Sequence, residues 1–83
     1  MEVVWQNAAL EDLLTLSRAN SRQATRVFDA VVRYARTGGG DVKALKGRTG
    51  EYRIRVGDWR VLFRMDGDRA VVTRVVLRRD AYD

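Results

Sequence analysis

A chain of 83 residues, 46% hydrophobic and 33% charged, is sized for one small domain with a single core and is too apolar for disorder. It has no cysteine and no histidine, which removes disulfides, thiolate ligands, the commonest zinc ligand and the commonest acid–base side chain together; no metal or other cofactor is expected. The net charge of +5 is placed unevenly: residues 1–42 hold five basic and five acidic groups, and residues 43–83 hold eleven and six, nine of the eleven being arginine. An anionic partner for the second half is the natural reading, and arginine forks suit phosphate better than lysine does. The start, Met1-Glu2-Val3-Val4-Trp5, lacks a basic stretch followed by an apolar one, and no run approaches the roughly 18 apolar residues of a membrane span. A cytoplasmic protein without membrane contacts is expected.

Residues 3–6 read as a short strand around Val3-Val4-Trp5, with Asn7 placed to cap a helix whose first turn carries Glu11 and Asp12. Ala9, Leu10, Leu13, Leu14 and Leu16 carry that helix to about Ser17. Asn20, with Gln23 three residues later, is a capping-box pattern for a second helix. There the spacing of Ala24, Phe28, Val31 and Ala35 predicts the buried stripe, with Arg22, Arg26, Arg33 and Arg36 mostly outside it. Gly38-Gly39-Gly40 ends the helix and opens a loop extending to Gly50.

Beyond Gly50 the period changes to two. Tyr52-Arg53-Ile54-Arg55-Val56 alternates apolar and basic residues, and Gly57-Asp58 is a two-residue hairpin signal that sets Val56 opposite Trp59 and Arg55 opposite Arg60. The next strand points Trp59, Val61, Phe63 and Met65 at the core and Arg60 and Arg64 away from it. A second turn at Asp66-Gly67-Asp68 leads to a last strand, Ala70 to Leu77. A two-residue Asp66-Gly67 loop would bury Arg74 and Arg78, so a three-residue loop is expected instead, placing both beside Arg60. The fold class is therefore α+β, one domain over residues 1–83, ordered βααβββ: a mainly antiparallel four-stranded sheet with two N-terminal helices on one face.

The basic meander of residues 43–83 is expected to form a nucleic-acid-binding groove, most naturally for RNA, lined by Arg53, Arg55, Arg60, Arg74 and Arg78 with Val72 and Val76 between them. Arg55 opposed to Arg60 costs up to about 1 kcal/mol of repulsion, which argues for an anionic ligand; the plainer alternative is a solvated face with Glu51 and Asp58 as compensation. Lys43, Lys46 and Arg48 form a basic loop suited to RNA contacts or to plain solvation. Trp5, Phe28 and Trp59 read as core aromatics. The groove arginines, lying on an open face, are expected to be exposed and cheap to replace.

At these residues the chain resembles the RelE/ParE superfamily of toxins from toxin–antitoxin pairs, and the RelE-like mRNA interferases more than the ParE-like gyrase poisons. The resemblance spans essentially the whole chain and is carried by Lys43-Ala44-Leu45-Lys46-Gly47, by Tyr52-Arg53-Ile54-Arg55-Val56-Gly57-Asp58-Trp59-Arg60-Val61-Leu62-Phe63, and by Val76-Leu77-Arg78-Arg79-Asp80-Ala81-Tyr82. It implies a ribosome-dependent endoribonuclease that cleaves mRNA by attack of a 2′-hydroxyl on the adjacent phosphate, held in check by a small acidic antitoxin. By position Arg53 and Arg55 match two lysines of the family, Arg60 its phosphate-binding arginine, Arg78 its C-terminal arginine and Tyr82 its terminal, base-stacking tyrosine. The resemblance thus assigns Arg55, Arg60, Arg78 and Tyr82 to catalysis and Arg53, Arg74, Lys43, Lys46 and Arg48 to RNA binding. Two departures stand out. Arg55 replaces the lysine proposed as base, and a guanidinium stays protonated at neutral pH. Leu77 stands where many relatives carry histidine. Glu51 or the Tyr82 hydroxyl are the remaining candidates for a base. The departures leave two other readings in play: a toxin relative that binds RNA or the ribosome but cuts slowly, and a gyrase inhibitor of the ParE kind.

Overall fold

The computed structural model describes residues 1–81; the expected stacking residue Tyr82 lies outside them. The elements are β1 (Glu2–Trp5), α1 (Asn7–Ala19), α2 (Ser21–Thr37), β2 (Val42–Ala44), β3 (Glu51–Val56), β4 (Trp59–Asp66) and β5 (Arg69–Leu77), followed by a single 3-10 turn, Arg78–Asp80. They make one sheet in the order β1-β5-β4-β3-β2, in which only β1 and β5 run parallel. The α+β class and the mainly antiparallel sheet are as expected, with one strand more. The helical hairpin carries the chain from β1 to the far edge, where Val42–Ala44 pairs with β3, and the meander then returns it to β1. Three residues on an exposed edge have no alternation to announce them.

Local chemistry explains the helices. The Asn20 side chain accepts from the backbone N–H of Gln23 at 3.1 Å and starts α2, but the Asn20 N–H donates to the Leu16 carbonyl at 2.7 Å and not to the Gln23 side chain, so only half of the capping box forms. Asn7 is the first helical residue of α1 rather than its cap; Gln6 holds the cap position and contributes no side-chain bond. α2 closes on Gly38 at φ 71°, where a Cβ would be strained, with the Gly38 N–H on the Tyr34 carbonyl.

The core lies between the helices and one sheet face, formed by Ala9, Leu16, Ala24, Val27, Val31, Ile54, Val56, Val61, Phe63, Ala70, Val72 and Val75. The stripe of α2 therefore runs through Ala24, Val27, Val31 and Tyr34. Phe28 sits one step round the helix from Val27 and is 47% exposed, its ring stacked on Trp5 at 6.1 Å. Leu10 and Leu14 of α1 are exposed too, so an apolar patch remains on the helical face.

The second turn is not the three-residue loop expected from the sequence. Asp66 pairs with Arg69 around a two-residue Gly67-Asp68 loop, and Gly67 takes φ 64°, as Gly57 takes 59° in the first hairpin. Alone, that loop would put Arg74 and Arg78 on the core side. A bulge restores them: Phe63 pairs with Val72 but Leu62 pairs with Arg74, so Thr73 is the extra residue, its hydroxyl donating to the Leu62 carbonyl at 3.1 Å. From Arg74 onward the odd and even positions of β5 exchange faces. Val72 consequently enters the core, and Val76 reaches the outer face opposite Arg60.

One side chain fastens the bulged segment. β1 ends opposite Val72, so beyond it β5 loses its neighbour, and Asp12 of α1 fills the gap. Its carboxylate accepts from the Val75 N–H at 2.8 Å and from Arg74 Nε and Nη2 at 2.7 and 3.1 Å. Replacing Asp12 by alanine strands a part-buried N–H and is expected to cost about 1–3 kcal/mol in urea unfolding. Asparagine, which keeps an acceptor for Val75, is expected to lose clearly less; equal losses would show that the backbone contact does not matter.

Candidate nucleic-acid interface

The face turned away from the helices is set by register. Arg55 lies across from Arg60 as the Gly57-Asp58 turn requires, Lys43 across from Arg53, Arg53 across from Leu62, and Arg60 across from Val76. β5 ends at Leu77, and the backbone N–H of Arg78 donates to the Asp58 carbonyl at 2.7 Å, which holds the start of the 3-10 turn against the first hairpin. The result is a cleft of about 480 Å³ whose described lining is Lys43, Ala44, Lys46, Arg53, Arg55, Arg60 and Arg78. No carboxylate is among these lining residues.

Gathering six cations this way needs internal bracing, and the two most crowded ones have it. Arg60 is 6% exposed and its Nη1 donates to the carbonyls of Gly57 at 2.9 Å and Trp59 at 3.0 Å. Arg53 is 8% exposed and donates to the Asp41 carbonyl at 3.2 Å. These guanidinium groups are buried structural members, not the freely exposed side chains that the sequence suggested. Repulsion between Arg55 and Arg60 is relieved within the protein, so it does not by itself demand a ligand. The same bracing holds the donors in place before any anion arrives.

Lys43, Lys46, Arg53, Arg55, Arg60 and Arg78 come together as expected. Arg74 does not join them: it shares the outer face by register, but its guanidinium reaches to Asp12 on α1. Arg48 forms a 3.5 Å pair with Glu51 in the β2–β3 loop, and neither is among the cleft-lining residues; Glu51 is opposite Arg64, at the other end of β3 from Arg55. Glu51 is therefore poorly placed as a base for a phosphate bound at Arg55 and Arg60. The sequence does not announce the Asp12 carboxylate as the partner of Arg74, sixty-two residues away, or the Asp41 carbonyl as the partner of Arg53.

Chemically, fixed donors in a concave site without a lining carboxylate suit an anion of several charges, and arginine forks match phosphate oxygens. Burial also changes what substitution costs. Arg60→Ala removes two charged hydrogen bonds from a buried position and is expected to lose about 1–3 kcal/mol of stability. Arg55→Ala, at a side chain 55% exposed, should stay within about 1 kcal/mol. Thermal melts of the two proteins measure the difference, and equal melting points would contradict the bracing role of Arg60.

Known proteins share this fold. Residues 3–82 match the family described as the ParE toxin of type II toxin-antitoxin system, parDE. Toxin RelE3 of Methanocaldococcus jannaschii is 42% identical over 43 residues, which is 52% of this chain and about half, 49%, of that relative. Among solved structures, a YoeB/ParE toxin from Agrobacterium tumefaciens superposes with a TM-score of 0.79 at 24% identity, covering 93% of this chain and 98% of the other. A RelB-RelE antitoxin-toxin complex from Methanococcus jannaschii gives 0.74 at 22% identity, covering 92% and 91%. With the family match running through nearly the whole chain, this protein belongs to the ParE toxin family of type II toxin–antitoxin systems, within the RelE/ParE superfamily.

Proposed function

We propose that the protein is a ribosome-dependent endoribonuclease, cutting mRNA by attack of a 2′-hydroxyl on the adjacent phosphate. The observation that carries this reading is the cleft of Lys43, Lys46, Arg53, Arg55, Arg60 and Arg78, a concave cationic site on the open sheet face. In this role Arg60 and Arg78 hold the phosphate whose charge grows in the transition state, Arg55 flanks it, and Arg53, Lys43 and Lys46 track the backbone of the message. Tyr82, four residues beyond Arg78, stacks on a base. Arg55 does not take the proton of the attacking hydroxyl, so the Tyr82 hydroxyl is the candidate left for that step.

The family match to ParE toxins favours a second reading, inhibition of DNA gyrase, in which the same cations meet a different surface. A catalytically slow RNA-binding toxin is intermediate between the two. In any of them the cognate partner is a small acidic antitoxin that folds at least partly on binding and covers the basic cleft or displaces Tyr82. Such a chain, if it extends round the molecule, also has an apolar landing at Leu10, Leu14 and Phe28.

Expression without an antitoxin separates the readings. Growth is expected to stop through loss of translation, with primer extension showing messages cut in ribosome-bound codons. Gyrase-linked DNA breaks with intact messages would establish the second reading instead. Arg78→Ala is expected to lower cleavage by orders of magnitude while weakening ribosome binding less. Tyr82→Phe keeps most activity if the ring only stacks and loses it if the hydroxyl carries the proton, whereas Arg55→Lys should speed cleavage.

A further inference from the structure

One acidic residue, Asp41, stands on the same face beside the cleft. Asp41 immediately precedes β2, and its carbonyl accepts the backbone N–H of Arg55 at 2.9 Å, extending the β2–β3 pairing by one step so that Asp41 stands opposite Arg55. Arg55 is in turn opposite Arg60, so one row across the sheet reads Asp41, Arg55, Arg60. The Asp41 carboxylate lies 3.4 Å from Arg53 Nη1 through one oxygen and 3.9 Å from Arg55 Nε through the other. Two oxygens facing two guanidinium groups is the contact that a phosphate makes with an arginine pair.

Two features separate this carboxylate from a structural brace. Its side chain is 57% exposed, and a pair open to water is held weakly. The structural anchoring belongs to the main chain instead: the Asp41 carbonyl holds both the Arg55 N–H and the Arg53 guanidinium, whatever the side chain does. The carboxylate is thus free to swing away while the arginines stay in position. Only rotation of one short side chain is needed.

We propose that Asp41 is an affinity- and specificity-determining residue, a built-in competitor that occupies Arg53 and Arg55 until a phosphate chain displaces it. The proposal rests on the phosphate-binding reading of the cleft. A lone small anion gains little by replacing one carboxylate on Arg53 and Arg55. A polyanion that also engages Arg60, Arg78, Lys43 and Lys46 gains those contacts in the same step. Asp41 accordingly selects polymer over single phosphate.

The test uses fluorescence anisotropy of a labelled single-stranded RNA with the intact protein, Asp41→Asn, and Asp68→Asn as a control. The control changes the net charge equally at the Gly67-Asp68 turn, at the other end of the β4–β5 hairpin from Arg60 and Leu77. Asp41→Asn is expected to bind roughly three- to tenfold more tightly than Asp68→Asn at low salt. That gap should shrink as salt rises. Inorganic phosphate, added as a competitor, should displace RNA from Asp41→Asn at lower concentrations, relative to its RNA affinity, than from the parent. Binding by Asp41→Asn that is equal to the control or weaker, or a melting point well below the parent's, would make Asp41 a brace and overturn the proposal. Failure of the parent and both variants to bind RNA even at low salt would instead remove the phosphate reading itself.

Discussion

Like charge at short range is the constraint around which this fold is arranged. Arg55 and Arg60 are direct cross-strand neighbours, with Arg53 on the same face and Lys43 opposite it. A domain of this size has only a few kcal/mol of stability to set against such repulsion. Its solution is to point the inner guanidinium groups at carbonyl oxygens: Arg60 at the hairpin that carries it, Arg53 at the residue before the edge strand. Backbone carbonyls disperse the charge without cancelling it, and the carboxylate that meets Arg53 and Arg55, that of Asp41, is exposed. The cleft therefore keeps its positive potential and has its donors already ordered, and both properties favour tight binding of an anion.

The second requirement is parity. A two-residue turn after β4 would by itself send the end of β5 to the wrong face, and the extra residue at Thr73 corrects this before Val76 and Arg78 are reached. The bulge is sustained by a helix rather than by the sheet, because Asp12 takes up the Val75 N–H where β1 has ended. It also claims the guanidinium of Arg74. Helix packing and cleft geometry are thereby linked: α1 both covers the core and fixes which β5 residues face outward. An arginine that looked like part of the cleft is used instead to tie the two layers together.

What was legible in the sequence follows the range of the interactions. Gly57-Asp58 fixed Arg55 against Arg60 because a hairpin's register depends on two residues and their neighbours. The bulge was not legible, since Asp12 is more than sixty residues from Val75, and the outward placement of the β5 end was reached from the sequence through a loop that does not exist. α2 was misread by one step: Ala24, Phe28, Val31 and Ala35 fit a helical stripe about as well as Ala24, Val27, Val31 and Tyr34, and only the position of Trp5 and the sheet decides between them. In the sequence Arg53 and Arg60 read as exposed because arginine generally is, whereas the carbonyls that hold them are supplied by a turn and by the residue before an edge strand too short to recognise.

A guanidinium and an ammonium in the same place do different work. Lysine offers a point charge that can give up its proton when crowded; arginine offers a planar fork that keeps its charge. With arginine at 53, 55, 60 and 78 and no histidine in the chain, the chemistry of the sheet face suits holding an anion better than moving protons. The two lysines lining the cleft come from β2 and the loop after it, at the rim of the arginine row. In the proposed reaction, proton transfer then enters from the margin, apart from the arginines that would hold the phosphate. On the proposed reading, loss of the proton-transferring group at the margin would leave the anion site of the sheet intact.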